Sequence, residues 1–369
     1  MIRHAVMITL STFIAIAALG QDIDGQAQGV LENTIEEHDL VGLSAAILVD
    51  GDVIWSGGAG FADIENQVPA TADMVHRIAS ISKPITATAV MQLVEQGKVN
   101  LDDVIQDHIS DYPEARWPIQ VHHLLNHTSG IRHYKPGESG TMEHYPTIQD
   151  ALPVFWEDRT AFEPGRRYKY TTFGYAVLGR IIEVASGQTF GEYMEAHVWT
   201  PAGMENTRLE WKHEIIPNRA RGYNRDEDTG EIINERYTDI SIKFPGGGMI
   251  STAPDLVRFA HAFYTHKLVK PETYERMLEV TPVEVGQETT YGLGWSVHDT
   301  EARGLTILHS GGQAGTATLL RAYPDHDVAV AVISNVYASS PHVYEAMNGL
   351  CDLVLPPAPD TEEEAEGDE

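Results

Sequence analysis

Two residues three apart carry the strongest chemical signal in this chain, Ser80 and Lys83 in the run Ser80-Ile81-Ser82-Lys83. Pro84 follows at once, and then the apolar stretch Ile85 to Gln96, in which Ile85, Ala89 and Leu93 recur at four-residue spacing, as in a helix buried inside a protein. Residues three apart on a helix share a face, so the Lys83 amine can reach the Ser80 hydroxyl. A serine is a weak nucleophile until a base takes its proton. A lysine serves as that base only when desolvation or nearby positive charge leaves it neutral, and burial at the root of an apolar helix supplies the desolvation. The same residues admit a structural reading, in which Ser80 or Ser82 caps the helix while Lys83 runs its stem along the surface to water.

Other reactive residues point away from competing chemistries. His122, His123 and His127 include a His-x-x-x-His spacing, yet no Glu stands where a zinc protease needs it and no third ligand is in register, so the cluster reads as structural. Gly246-Gly247-Gly248 has no Lys-Ser or Lys-Thr after it, which points to close backbone packing near a cleft instead of a phosphate loop. Ser129, Ser251 and Ser310 lie outside any Gly-x-Ser-x-Gly elbow, which removes the standard α/β-hydrolase arrangement. Cys351 is the only cysteine, so an intramolecular disulfide and a thiolate-rich metal site are excluded, and it is expected as a small buried apolar residue. No metal or organic cofactor is implied.

The elements that must position these residues fall into an α+β pattern. Leu43 to Val49 and Val53 to Ser56 flank the turn Asp50-Gly51 and read as an antiparallel hairpin. Thr306 to His309, Ala317 to Ala322 and Val328 to Ile333 are three more strand-like runs rich in β-branched residues. Between them, Ala176 to Ala185, Thr189 to Val198 and Asp255 to Phe263 have helical periodicity, the last introduced by Thr252. Ser129 to Pro146 and Trp211 to Ile242 are polar and read as surface loops. Strands from both chain ends are therefore expected to share one antiparallel sheet, with a helical lobe beside it and a cleft between.

Composition bounds the setting. The chain has 369 residues, 42% of them hydrophobic, enough for one large domain, and 54 acids against 25 bases, a formal charge of -29. Such a surface repels phosphate backbones and anionic headgroups, so nucleic-acid binding is not expected. Arg3 and His4, the apolar run Ala5 to Leu19 and the small residues Ala18-Leu19-Gly20 match a secretory signal at residues 1–20, cut after Gly20. The run is short of the ~18–20 apolar residues of a membrane span, so no stable membrane insertion is expected after cleavage, and the mature chain is placed in the periplasm or outside the cell. Residues 21–355 form the expected domain. Residues 356–369 hold Pro356, Pro357, Pro359 and seven acids, and read as a disordered acidic tail.

Seven ordered segments resemble the serine β-lactamase-related family. They are His76 to Lys83 (HRIASISK), Leu124 to Ile131 (LLNHTSGI), Tyr170 to Gly179 (YTTFGYAVLG), Pro201 to Thr207 (PAGMENT), Gly246 to Asp255 (GGGMISTAPD), Tyr291 to Trp295 (YGLGW) and His309 to Gly312 (HSGG). That family comprises class C β-lactamases, D-amino-acid peptidases, D-alanyl-D-alanine carboxypeptidases and a set of esterases. The resemblance covers roughly residues 30 to 340 and implies the fold of β-lactamases and penicillin-binding transpeptidases. It also implies roles: Ser80 as nucleophile, Lys83 as its base and Tyr170 as the phenol that passes a proton to the leaving group. Thr172 falls where Asn is commoner, His309-Ser310-Gly311 matches the third motif, and the oxyanion hole would be the backbone N–H groups of Ser80 and Gly312.

Two departures shape the expected substrate. Thr172 offers one hydroxyl where an asparagine amide both donates and accepts, which weighs against recognition of a penicillin or an acyl-D-alanine peptide. The Tyr-x-Thr-Phe-Gly-Tyr form is similar to the mitochondrial β-lactamase-like proteins and their bacterial relatives. His309 stands where a lysine would be permanently charged, and a histidine titrates near neutrality, so binding of a substrate carboxylate is expected to weaken as pH rises. The reading is hydrolysis of a small or peptide-like ester or amide through a serine ester. β-Lactamase or D,D-carboxypeptidase activity is the alternative within enzymes, and a non-catalytic binding or self-assembling scaffold is the alternative outside them.

Overall fold

The computed structural model describes residues 23–286 and 289–356, so the expected leader and the acidic tail beyond Pro356 lie outside the described residues. Among the described residues seven strands form the main sheet: β1 (Gly42–Val49), β2 (Asp52–Asp63), β3 (Val68–Pro69), β4 (Ser296–Thr300), β5 (Gly304–Gln313), β6 (Thr316–Tyr323) and β7 (Val328–Ser334). Their order is β3-β2-β1-β7-β6-β5-β4, antiparallel throughout. The β1–β2 turn has two central residues, Asp50 at φ 51° and Gly51 at φ 83°, the left-handed pair that a tight hairpin requires. The strands from the N-terminal and C-terminal parts of the sequence meet where β1 pairs with β7, from Leu43 opposite Ser334 to Val49 opposite Val328.

Alternate residues of β1 serve two cores. Ala45 and Ile47 pack with Val330 and Val332 under two terminal helices, α1 (residues 23–38) and α5 (Ser340–Asp352), which contribute Ala27, Leu31, Val343, Met347 and Leu350. Ala46 and Leu48 face the other way, into the larger core shared with the helical lobe. Burial on both faces explains why these strands are continuously apolar. Neither terminal helix is expected from the sequence; polar residues and Gly25 and Gly29 dilute the periodicity of the first, and the sheet face it covers is what selects it. Cys351 is fully buried in this outer core.

The lobe is built on α2 (Ser82–Glu95), α3 (Thr172–Ser186) and α4 (Ala253–Tyr264). Thr252 caps α4, its hydroxyl accepting from the Asp255 N–H at 3.3 Å. The helix expected from Thr189 is interrupted, with α-helix at Phe190–Met194 giving way to a π turn at Glu195–Trp199. The polar stretch from Trp211 is not all surface loop. It carries two short paired strands, Tyr223–Arg225 and Ile232–Asn234, and buries Thr238, Asp239, Ile240 and Ser241. The cause is Arg77, a guanidinium only 7% exposed, which donates to Glu210 at 2.8 Å, to Glu235 at 2.9 Å and to the Thr238 and Ala314 carbonyls. A buried charge needs such partners, and the polar segment supplies them. Among the described residues no helix is long and apolar enough to cross a membrane.

Candidate active site

Ser80 sits in a single 3₁₀ turn, Ala79–Ile81, immediately before α2. The turn is entered through Ala79 at φ 45°, a left-handed conformation uncommon for a residue with a Cβ. A small three-stranded sheet anchors it: His76–Arg77 pairs with Met249–Ser251, and the Ile78 N–H reaches the Met249 carbonyl at 3.1 Å. The capping reading fails here. The residue before α2 is Ile81, without a side-chain cap bond, and the buried Ser82 hydroxyl instead accepts from the Met249 N–H at 3.3 Å.

Lys83 is fully buried, not spread along the surface. Its Nζ lies 3.0 Å from Ser80 Oγ, 3.2 Å from Thr172 Oγ1 and 2.7 Å from the Gly246 carbonyl oxygen. Burial holds its pKa well below that of a free lysine, and the neighbouring Lys243 cation adds to the shift. A neutral amine satisfies all three neighbours: it donates to Gly246 and Thr172 and accepts the Ser80 proton with its lone pair. Lys243, itself buried and pushed down to about 7, has no carboxylate partner among the described residues.

Tyr170 and Thr172 arrive from the start of α3. The Lys83 Nζ lies 4.6 Å from the centre of the Tyr170 ring, and Ser80 is among the polar side chains that bear on the phenol. Burial raises the phenol well above 10, so it stays protonated through neutral pH. Thr172 is only 4% exposed and turns its hydroxyl to Lys83 instead of opening it to the cleft.

His309, Ser310, Gly311 and Gly312 lie on β5, opposite Leu320, Leu319, Thr318 and Ala317 of β6. On the other side β4 pairs only with Gly304 to Leu308, so among the described residues the segment from His309 onward is without a strand partner there. Gly311 is pressed against the Ser80 turn: a Cβ at this position would lie 2.8 Å from the Ser80 nitrogen and 2.8 Å from the Ile78 carbonyl oxygen. Gly312 is exposed, with open space where its side chain would be. The expected near-neutral titration of His309 does not hold. Its Nδ1 donates to the Ser310 carbonyl at 2.6 Å and its Nε2 accepts from the Tyr291 hydroxyl at 2.9 Å, and burial, with Lys83 close by, lowers its pKa to about 3. It is a neutral, internally bonded ring and not a cation for a substrate carboxylate.

The histidine run is likewise taken up by the backbone. His123 Nδ1 accepts from the Gln120 N–H at 3.1 Å, His127 Nδ1 from the Thr171 N–H at 3.2 Å, and His122 Nδ1 lies 3.0 Å from the Leu101 carbonyl. The glycines at 246–248 pack closely, a Cβ on Gly246 meeting Thr172 Cγ2 at 2.7 Å. Sequence reasoning missed the Gly246 carbonyl, Tyr291, Lys243 and His133 as parts of this site. Tyr291 and Gly246 sit within quoted motifs, but Lys243 and His133 had no local signal, because chain folding alone brings them to Lys83.

A family model described as Beta-lactamase matches residues 27–351. The human serine beta-lactamase-like protein LACTB, mitochondrial, is 28% identical over 393 residues, covering 81% of this chain and 72% of that one. Among solved structures, the octameric penicillin-binding protein homologue from Pyrococcus abyssi superposes with a TM-score of 0.78 at 28% identity, covering 89% of this chain and 77% of its own. The D-amino acid amidase from Ochrobactrum anthropi SV3, complexed with L-phenylalanine amide, gives a TM-score of 0.78 at 25% identity over 90% of this chain and 98% of that one.

Proposed function

Because the chain belongs to the beta-lactamase family and is a serine hydrolase of the β-lactamase and penicillin-binding-protein type, we propose that it cleaves a small or peptide-like ester or amide through an acyl-enzyme on Ser80. The observation that carries this reading is the Lys83 amine, fully buried and 3.0 Å from the Ser80 hydroxyl. Ser80 Oγ attacks the substrate carbonyl as its proton passes to the neutral Lys83 amine. The oxyanion is met by the backbone N–H groups of Ser80 and Gly312. Tyr170 gives its proton to the leaving group and takes one in turn from the Lys83 ammonium, so the proton lost by Ser80 is passed on and the amine is neutral again. Water then attacks the ester, and Lys83 and Tyr170 handle its protons in reverse. The likeness to the D-amino acid amidase supports an amide as well as an ester. The leader-like sequence at 1–20 supports action in the periplasm or outside the cell.

A fluorophosphonate probe tests the chemistry before any substrate is known. Stoichiometric mass gain on Ser80, absent from Ser80→Ala, is the expected result; a folded, unlabelled wild-type protein favours the non-catalytic scaffold and refutes the proposal. Nitrophenyl esters, D-amino-acid amides and nitrocefin assayed side by side then rank the three substrate classes.

A further inference from the structure

Tyr170 and Thr172 must be held over Ser80 and Lys83, yet α3 has no side-chain cap at its start. Its first backbone donors are instead taken by two imidazoles. The Thr171 N–H donates to His127 Nδ1 at 3.2 Å and the Thr172 N–H donates to His133 Nδ1 at 3.1 Å. Both rings come from one short loop, which also receives the Lys169 N–H on the His127 carbonyl at 2.9 Å and the Thr171 hydroxyl on the Arg132 carbonyl at 2.7 Å. Tyr170 is thus bracketed by four bonds to residues 127–133. The rings also touch the phenol directly, His127 lying 4.2 Å and His133 6.0 Å from the Tyr170 ring centre.

We propose that His127 and His133 are positioning residues, a pair of imidazole acceptors that fix the Tyr170-Thr171-Thr172 backbone so that the phenol meets Ser80 and the Thr172 hydroxyl meets Lys83. The inference rests on the Ser80 reading above. An imidazole accepts a hydrogen bond only while the accepting nitrogen carries no proton, because a protonated ring has donors alone. Burial keeps His127 neutral, and burial, with the basic side chains around it (Lys83, Lys243, Arg132 and Lys169), lowers His133 to about 4. With Nδ1 accepting, the His127 proton sits on Nε2, which is buried and has no hydrogen-bond partner among the described residues. That ring is accordingly kept for its Nδ1 and its packing on Tyr170, at the expense of an unsatisfied N–H.

The test compares residues that replace one nitrogen at a time. His133→Asn places an amide oxygen near the Nδ1 position, His133→Gln places it near Nε2, and His133→Ala removes the acceptor; His127→Asn repeats the first exchange at the buried ring. Hydrolysis of a nitrophenyl ester and the rate of fluorophosphonate labelling are measured on each folded variant. His133→Asn is expected to stay within about threefold of wild type, while His133→Gln and His133→Ala lose about tenfold to a hundredfold in kcat with little change in KM, as for a small displacement of reacting groups. The acid limb that His133 contributes near pH 4 disappears in His133→Asn. If Gln and Asn behave alike, or if Ala labels at the wild-type rate, the acceptor role is overturned while the hydrolase reading stands. An unlabelled wild type overturns both.

Discussion

Replacing Gly311 by alanine tests how closely β5 is fitted to the Ser80 turn. The new Cβ would stand 2.6 Å from Thr318 Oγ1, 2.8 Å from the Ile78 carbonyl oxygen and 2.8 Å from the Ser80 nitrogen. The Thr318 hydroxyl can rotate away, but the other two contacts are backbone. Ordinary contact begins near 3.5 Å, so the strand must retreat from the turn by about half an ångström or more. That movement widens the gap between the Ser80 and Gly312 N–H groups, the proposed oxyanion donors. Overpacking of this kind costs about 1–3 kcal/mol of stability. A misplacement approaching 1 Å at reacting groups costs about a hundredfold in rate, and Gly311→Ala is expected to lose that in kcat/KM. Gly312→Ala is the internal control, because nothing lies within 4 Å of its added methyl group and its backbone N–H is kept. It should change stability by no more than about 0.5 kcal/mol. Ester hydrolysis, fluorophosphonate labelling and thermal unfolding are read on both. A folded Gly311→Ala that labels as fast as wild type, or equal damage from the two alanines, refutes the reasoning.

Four further outcomes follow from the same structure. Lys83→Arg places a permanent charge among acceptors sized for an amine, and should abolish Ser80 labelling at every pH from about 6 to 9 while destabilising the fold by about 3 kcal/mol or more; labelling above a tenth of wild type would contradict the base role. The folded pKa values of His76 and His309 (about 3) and of His123 and His133 (about 4) lie below the 6.5 of a free histidine, so the unfolded chain binds more protons on acidification. Their stability contribution is complete above pH ~6.5 and is lost as pH falls toward about 3, and His76→Gln should flatten the slope of the denaturation midpoint against pH over that window. KM for a carboxylate-bearing nitrophenyl ester should show no histidine-dependent change between about pH 5.5 and 8.5, because His309 is already neutral there; a rise with an apparent pKa near 6.5 would restore the charged role. Ala79→Gly relieves the left-handed backbone at φ 45° and should stabilise the protein by up to about 1 kcal/mol, read from chemical denaturation.

What was legible in the sequence was what is local. Ser80 and Lys83 are three residues apart, the Asp50-Gly51 hairpin is a two-residue signal, and the β-branched runs at both ends name a sheet by their own periodicity. Tyr170, Thr172 and the His309 to Gly312 segment could be placed beside Ser80 only through resemblance, since nothing in their spacing links positions some 90 to 230 residues apart. Tertiary structure decided the rest. Charge state follows surroundings: burial leaves Lys83 a poorer proton holder than free lysine and His309 a neutral ring, and a residue type alone carries no record of its burial. The same holds for the terminal helices, selected by a sheet face that needed cover, and for the polar segment beyond Trp211, drawn inward by the guanidinium of Arg77. Long-range contacts set those environments, and a one-dimensional pattern reports only neighbours along the chain.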